Sequence, residues 1–253
     1  MERARSSVDA APFTVVTWNV QGSQGVDVEG VAEITATLGA DVVVVQEIQR
    51  AQAHRFAGAL AMPAMRWAFK HLSLATWPEG LAVFTRHRLV STDSFVLRPA
   101  LLWNWRRRIG LAAEIERAGE RFGIINVHLS PHEATDRRRR EAHLVVERAR
   151  RAKELPVVAG DFNDVPGGPG YAVMTGSGWY DAWLIDRLAD IDGSTNWTPG
   201  PRLGRAPDQR LDFVFAPAGW AVDDARVPAE ADRFDWFAER SDHLPLVAVL
   251  RPR

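Results

Sequence analysis

The apolar positions of this chain follow two rhythms in turn. Residues 13–19 (FTVVTWN) are rich in β-branched and aromatic side chains and predict a strand. Residues 28–39 place Val28, Val31, Ile34 and Leu38 at helical spacing, with Gly39 as the stop. Residues 41–46 then carry Val42, Val43, Val44 and Val45 without a break. An unbroken apolar run, rather than an alternation, predicts a strand buried on both faces. Glu47 follows directly.

The same rhythm returns later. Residues 122–129 predict a strand with Ile124, Ile125 and Val127. Residues 135–154 predict a helix with Ala142, Val145, Ala149 and Ala152 on one face, stopped by Pro156. Residues 155–159 predict a second buried strand, and Gly160-Asp161-Phe162-Asn163 comes next. Strand, helix, strand and acid therefore occur twice, with 28 positions from Asn19 to Glu47 and 33 from His128 to Asp161. The recurrence predicts a two-fold internal repeat whose halves bring polar strand ends to one edge. Further strands are expected at 80–85, 109–115, 210–215 and 244–250. The stretch 193–209 is rich in Gly, Pro, Asn and Arg and reads as a long functional loop. No linker composition divides the chain, so residues 12–253 are expected to form one domain behind a polar tail, 1–11.

Composition narrows the class. With 46% hydrophobic and 25% charged residues the chain is globular rather than disordered. It has no cysteine, which excludes disulfides, thiolate metal sites, iron–sulfur clusters and cysteine nucleophiles. No apolar run approaches the roughly 18 residues of a membrane span, and no signal-peptide core is visible, so a cytoplasmic protein is expected. The net charge of −1 argues against a dedicated nonspecific DNA binder. It conceals an asymmetry: residues 103–153 carry 13 basic and 7 acidic groups, whereas residues 154–253 carry 9 and 16. Most of these charges read as solvated faces. A basic middle facing an acidic C-terminal third also suits a site holding a metal and a phosphate.

The candidate chemistry sits where predicted strands end. Five segments do this: Thr17-Trp18-Asn19-Val20, Gln46-Glu47, Asn126-Val127-His128-Leu129, Gly160-Asp161-Phe162-Asn163 and Ser241-Asp242-His243. Asp212 adds a sixth, inside Leu211-Asp212-Phe213-Val214-Phe215. A carboxylate in so apolar a strand is costly unless paired or bound to a cation. Singly, each motif reads as a turn or a surface residue; six together read as a site.

In that order these motifs resemble the endonuclease/exonuclease/phosphatase superfamily, which has the deoxyribonuclease I-like fold, over nearly the whole chain. The resemblance implies a four-layer α/β sandwich, with two β-sheets packed face to face and helices outside. It also implies Mg²⁺-dependent cleavage of a phosphate ester, with Mn²⁺ as a substitute. Mg²⁺ takes hard oxygen ligands and retains several waters. Glu47 is then the expected primary ligand, Asn19 a neutral ligand beside it, and Asp242 a third group at the same shell. Asp161 is the expected activator of the attacking water and Asn163 a donor to a nonbridging oxygen. Lying two apart, they point to the same side if the chain is extended there. His128 and His243 are the expected phosphate-contacting imidazoles, with Asp212 orienting His243. Arg108 matches an arginine that often opens its strand and reaches the phosphate. His54, His71, His87 and His143 read as ordinary core or surface groups. His128 and His132 have ligand-like spacing, but Pro131 keeps them off one helical face. Four arginines, Arg137 to Arg140, span a full turn, so at most two face a substrate.

Departures from the family's branches bear on the substrate. AP endonucleases carry an acidic residue two after the first Asn, where this chain has Gln21, and they lack the histidine of Asn126-Val127-His128-Leu129. The expected substrate is a phosphodiester, nucleic acid ahead of lipid, with Trp197 as an exposed aromatic able to stack on a base. The protein is expected to act as a monomer without a stable protein partner. A sphingomyelinase-like lipid phosphodiesterase or a phosphatase of the same superfamily is the alternative. Trp103 and Trp105, followed by Arg106, Arg107 and Arg108, have an interfacial composition that would serve a lipid enzyme. A calcineurin-like metallophosphatase lacks its histidine-bearing first strand here, and a non-catalytic binding module predicts a missing acid or histidine, of which there is none.

Overall fold

The computed structural model describes residues 11–72, 78–99, 107–131, 133–184, 193–200, 202–228 and 234–253. Trp103, Trp105, Arg106 and His132 lie outside the described residues.

Two six-stranded sheets form the centre. In the first, β1 (Phe13–Asn19) pairs parallel with β2 (Val42–Gln49), joined through helix α1 (Val28–Thr37). β4 (Pro78–Thr85) and β3 (Ala64–Leu72) extend it on one side, β12 (Leu246–Pro252) and β11 (Trp220–Arg226) on the other. In the second, β7 (Glu120–His128) pairs parallel with β8 (Val157–Asp161) through α3 (Thr135–Ala149). β6 (Arg108–Arg117) and β5 (Arg88–Arg98) lie beyond β7; β10 (Asp212–Pro217) and β9 (Trp179–Asp181) lie beyond β8. Helices α2 (Arg50–Ala59), α4 (Pro169–Gly176) and α5 (Phe234–Ala238) complete the described elements. The parallel unit occurs once in each sheet, which is a likeness of topology and does not by itself establish a repeat of the halves.

Three apolar clusters make the layers. Val15, Val42, Val44 and Val83 meet Leu111, Ile124, Ala159 and Val214 between the sheets. Val16, Val43 and Val45 face outward onto Val28 and Val31 of α1 and Phe56 of α2. Ile125, Val127, Val158 and Phe213 face outward onto Val145 and Ala149 of α3 and Met174 of α4. The valine run is thus buried on both faces, its members alternating between two cores.

Local chemistry fixes the ends. Asp27 caps α1 by accepting from Gly30 N at 3.0 Å, and Gly39, at φ 66°, follows its C-cap. α3 ends at Ala149 rather than at 154, and its strand partner begins at Val157. Pro156 pushes the residue before it toward extended backbone, so residues 150–154 unwind as turn rather than continue the helix. The strand expected at 210–215 runs from Asp212 to Pro217.

Candidate active site

Register brings the polar strand ends together. In the second sheet His128 lies beside Asp161, and Asp161 beside Asp212, on three adjacent strands. In the first sheet Asn19 lies beside Gln46, with Glu47 next in line. All four parallel strands end at this edge, the usual location for a site in α/β sheets.

Asp161 is the hub. Its Oδ2 accepts from Asn19 Nδ2 at 3.0 Å and Asn163 Nδ2 at 3.3 Å, and its Oδ1 accepts from Asn163 N at 2.8 Å. His128 Nε2 lies 3.5 Å and His243 Nε2 3.8 Å from the same Oδ2. His243 Nδ1 is 2.6 Å from Asp212 Oδ2. The backbone of His243 is pinned: Trp18 Nε1 donates to its carbonyl at 2.9 Å, and its N–H donates to Ser241 Oγ at 3.0 Å. Gly160 permits the tight register, because a Cβ there would meet the Val127 carbonyl oxygen at 2.1 Å, and its φ is 144°.

The Glu47 side is built differently. Pairing of β2 with β4 slips between Val45 and Ile48, and pairing of β3 with β4 slips between Phe69 and His71. Such bulges re-aim side chains next to sites. The first turns Glu47 into the cleft at φ 56°; at the second, Lys70 is the extra residue, on the inter-sheet face it shares with Ala68. Lys70 Nζ lies 3.1 Å from His128 Nδ1, 4.0 Å from Glu47 Oε1 and 3.6 Å from Glu79 Oε2. Arg107 donates to the carbonyls of Phe69 and Lys70, satisfying the bulge. Of the described non-glycine residues with positive φ, Gln21, Glu47 and Asn163 line the cleft, and Ala61 and Ala118 sit in turns. Backbone strain of this kind, about 1–3 kcal/mol each, gathers at functional sites.

Electrostatics separates the two imidazoles. Burial alone would lower the pKa of His243, but Asp212 and Asp161 together outweigh it and raise the value to about 10. Burial, reinforced by Lys70 and Arg108, holds His128 well below the ordinary imidazole range. Burial also raises Asp161, against the pull of His243, and lowers Lys70 to about 8, against the pull of Glu47. Arg108, buried on the cleft wall, has Nε and Nη1 without a hydrogen-bond partner. Asp161, His128, His243 and Arg108 border a cleft of about 920 Å³ that Arg202, Gln209 and Asn196 also line.

A model of the endonuclease/exonuclease/phosphatase family matches residues 16–243. The chain belongs to that family. Members of the family are phosphoester hydrolases. No curated protein matches the sequence. Among solved structures, the chain is similar to an endonuclease/exonuclease/phosphatase from Beutenbergia cavernae, at 23% identity and a TM-score of 0.76, over 95% of this chain and 72% of that one. It is also similar to a mannosyl-6-phosphatase from Bacteroides thetaiotaomicron, at 20% identity and a TM-score of 0.72, over 94% and 99% of the two chains. A third likeness is to TDP2 of D. rerio complexed with single strand DNA product, at 18% identity and a TM-score of 0.69, over 95% and 99%. These likenesses show the fold.

For a family member of this kind, the donors present fit a sparsely held Mg²⁺. Among the described residues no three acidic or histidine side chains form a ready cage. Glu47 and Asp242 do line the cleft with Asn19, and Asp242 Oδ1 is buried without a hydrogen-bond partner. Two carboxylates and an amide are hard oxygen donors that leave room for the waters Mg²⁺ keeps.

All nine expected site residues border this cleft except Asp212, which stands behind His243 and is fully buried. Two expectations need correction. Asp161 and Asn163 do not share a side through extended chain: Asn163 is left-handed, at φ 49°, and a turn closed by the Asp161 carboxylate folds its amide back. Trp197 is not exposed: only 2% of its surface is accessible, its ring packs in the outer core, and its Nε1 donates to Arg205 O at 2.9 Å. Lys70, Gln21 and Asn196 were not anticipated as site residues. Gln21 Oε1 accepts from Asp242 N at 3.3 Å and Arg202 Nη1 at 3.2 Å, and Asn196 Nδ2 donates to Asp242 O at 2.9 Å. The residue two after Asn19 was the available signal for Gln21; Lys70 shares the inter-sheet face of Ala68, and a lone lysine inside AMRWAFKHL carries no motif that singles it out.

Proposed function

We propose that the chain is a Mg²⁺-dependent phosphodiesterase that cleaves its substrate by in-line attack of water on phosphorus. The observation that carries this reading is the single carboxylate oxygen of Asp161 flanked by two imidazole Nε2 atoms, 3.5 and 3.8 Å away. Asp161, its carboxyl raised by burial and held by two amides, takes the proton of the attacking water. His243, kept as the cation by Asp212, donates from Nε2 to a phosphoryl oxygen as charge develops there. His128 donates to the second nonbridging oxygen, and the Arg108 guanidinium, whose Nε and Nη1 have no hydrogen-bond partner, lends its charge to the phosphate. Glu47, Asn19 and Asp242 would hold Mg²⁺, which when bound neutralises charge on the phosphoryl and leaving oxygens.

A monoester dianion needs more cations than a diester. Arg108 and His243 are the cations beside Asp161; Arg202 and Arg240 also line the cleft but are engaged by Gln21 and Asp27, and Lys70 is enclosed behind His128, which supports a diester. Nucleic acid is favoured over lipid because Arg137 and Arg140, both exposed, lie beside Pro131 and Glu133, which also line the cleft. A substrate panel tests the reading: plasmid DNA, RNA, bis-p-nitrophenyl phosphate, sphingomyelin and inositol phosphates, each with and without chelator. The expected result is chelator-sensitive diester cleavage, with the rate on polynucleotide falling more steeply with salt than the rate on the small diester. Cleavage of monoesters alone, or diester cleavage indifferent to chelator, contradicts it; cleavage of sphingomyelin with polynucleotides untouched at every salt concentration replaces nucleic acid by lipid.

A further inference from the structure

We propose that Lys70 is a positioning residue for His128, donating to Nδ1 so that the imidazole carries its proton on Nε2, toward the reacting phosphoryl group. The proposal rests on reading the cleft as a phosphoester site.

Lys70 Nζ and His128 Nδ1 are 3.1 Å apart. An ammonium has three donors and no acceptor, so Nδ1 must accept. A neutral imidazole has one N–H, which is left to Nε2, the atom 3.5 Å from Asp161 Oδ2. Which ring nitrogen is protonated is set by the partner of the other.

The backbone is arranged for this. Lys70 is the extra residue of the bulge between Phe69 and His71; it lies on the inter-sheet face it shares with Ala68, and the bulge brings His71 to the same side, where both meet Glu79. Gly80 on β4 makes room opposite: a Cβ there would meet Ala68 O at 2.3 Å and the Trp67 ring at 2.6 Å. Arg107 holds the bulge by its carbonyls. Glu79 and Glu47, at 3.6 and 4.0 Å, keep a cation where burial would otherwise disfavour one. The Lys70 side chain is wholly enclosed and does not border the cleft, so it acts through His128 rather than on substrate.

The two imidazoles are thus set oppositely. Each aims Nε2 at the same carboxylate oxygen; a carboxylate stands 2.6 Å behind the Nδ1 of His243, whereas behind that of His128 the ammonium of Lys70, at 3.1 Å, is nearer than the Glu47 carboxylate, at 3.7 Å. One is a charged donor and the other a neutral one.

The test is long-range ¹H–¹⁵N correlation NMR of histidine-labelled protein, which reads the His128 tautomer without any substrate. The wild type should show one neutral form protonated at Nε2. Lys70→Met should lose that single form, lower kcat on bis-p-nitrophenyl phosphate about 10- to 100-fold, and add nothing further in a His128→Ala background. His128 protonated at Nδ1, or on both nitrogens, in the wild type overturns the proposal, as does a tautomer unchanged by Lys70→Met. Should Lys70→Met fail to fold, the wild-type spectrum decides alone. A protein that cleaves no phosphoester yet shows the Nε2 form loses the function proposed above; one that cleaves diesters with the Nδ1 form loses only the role of Lys70.

Discussion

The two walls of the cleft reach similar precision by different means. On the Asp161 wall, regular strands in register set His128, Asp161 and Asp212 side by side, and motif position translates directly into geometry. On the Glu47 wall, two bulges break the register: Glu47 reaches the cleft because the pairing fails, and Lys70, on the inter-sheet face of Ala68, is the residue left over at the second. The first wall needs close strand packing at Gly160; the second needs space opposite a kink at Gly80. A backbone change at one glycine should therefore leave the strand register of the other wall intact, while Lys70 and Asn19 carry side-chain contacts across to His128 and Asp161.

The largest expected effect is on the regular wall. His243→Ala should lower kcat/KM on a diester by about 10²- to 10⁴-fold. If Asp212 acts by orienting His243, the double variant Asp212→Asn/His243→Ala should be little worse than His243→Ala alone. Additive barrier changes would separate the two residues and dissolve the dyad.

Intermediate effects compare the two glycines. Gly160→Ala and Gly80→Ala should each cost about 1–3 kcal/mol in urea unfolding, because neither neighbouring backbone can move freely. The sharpening outcome is in binding. Gly80→Ala should weaken Mg²⁺ binding through Glu47, measured by calorimetry, while Gly160→Ala should spare it. Equal losses of metal binding would mean that the walls are not independent.

The smallest effect lies away from both walls. Burial, aided by Asp181, raises the Tyr171 phenol to about 12. A phenol with a raised folded pKa favours the folded state while it stays protonated. Its contribution is complete below the unfolded value of about 10 and is lost as pH rises toward 12. Thermal scans from pH 9 to 11 should show wild type losing stability faster than Tyr171→Phe. Parallel slopes would remove Tyr171 from the alkaline transition.

The sequence was legible where chemistry and secondary structure coincide. Glu47 after a valine run, Asp161 after 155–159 and His243 before 244–250 could be placed because a buried strand has a defined end. The four-layer architecture was implied by the family resemblance. Lys70 was not legible, since an isolated lysine in β3 carries no motif, and only its approach to His128 Nδ1 marks it. The turn at Asn163 was hidden for a related reason: Gly-Asp-Phe-Asn continues equally well as strand until the Asp161 carboxylate closes it. Trp197 was misplaced because a loop rich in Gly and Pro suggests exposure, whereas its indole packs beneath the loop and is satisfied by Arg205 O.

The central claim is that Asp161, between two imidazoles, activates water for attack on a phosphodiester. The most direct measurement is single-turnover hydrolysis of bis-p-nitrophenyl phosphate in saturating Mg²⁺ by wild type and Asp161→Asn, with Mg²⁺ affinity measured on both. An amide keeps the size of the side chain but cannot take the proton. The rate of the chemical step should fall at least about 10²-fold, with Mg²⁺ affinity and folding little changed. An Asp161→Asn protein that binds Mg²⁺ and hydrolyses the diester at the wild-type rate would contradict the account.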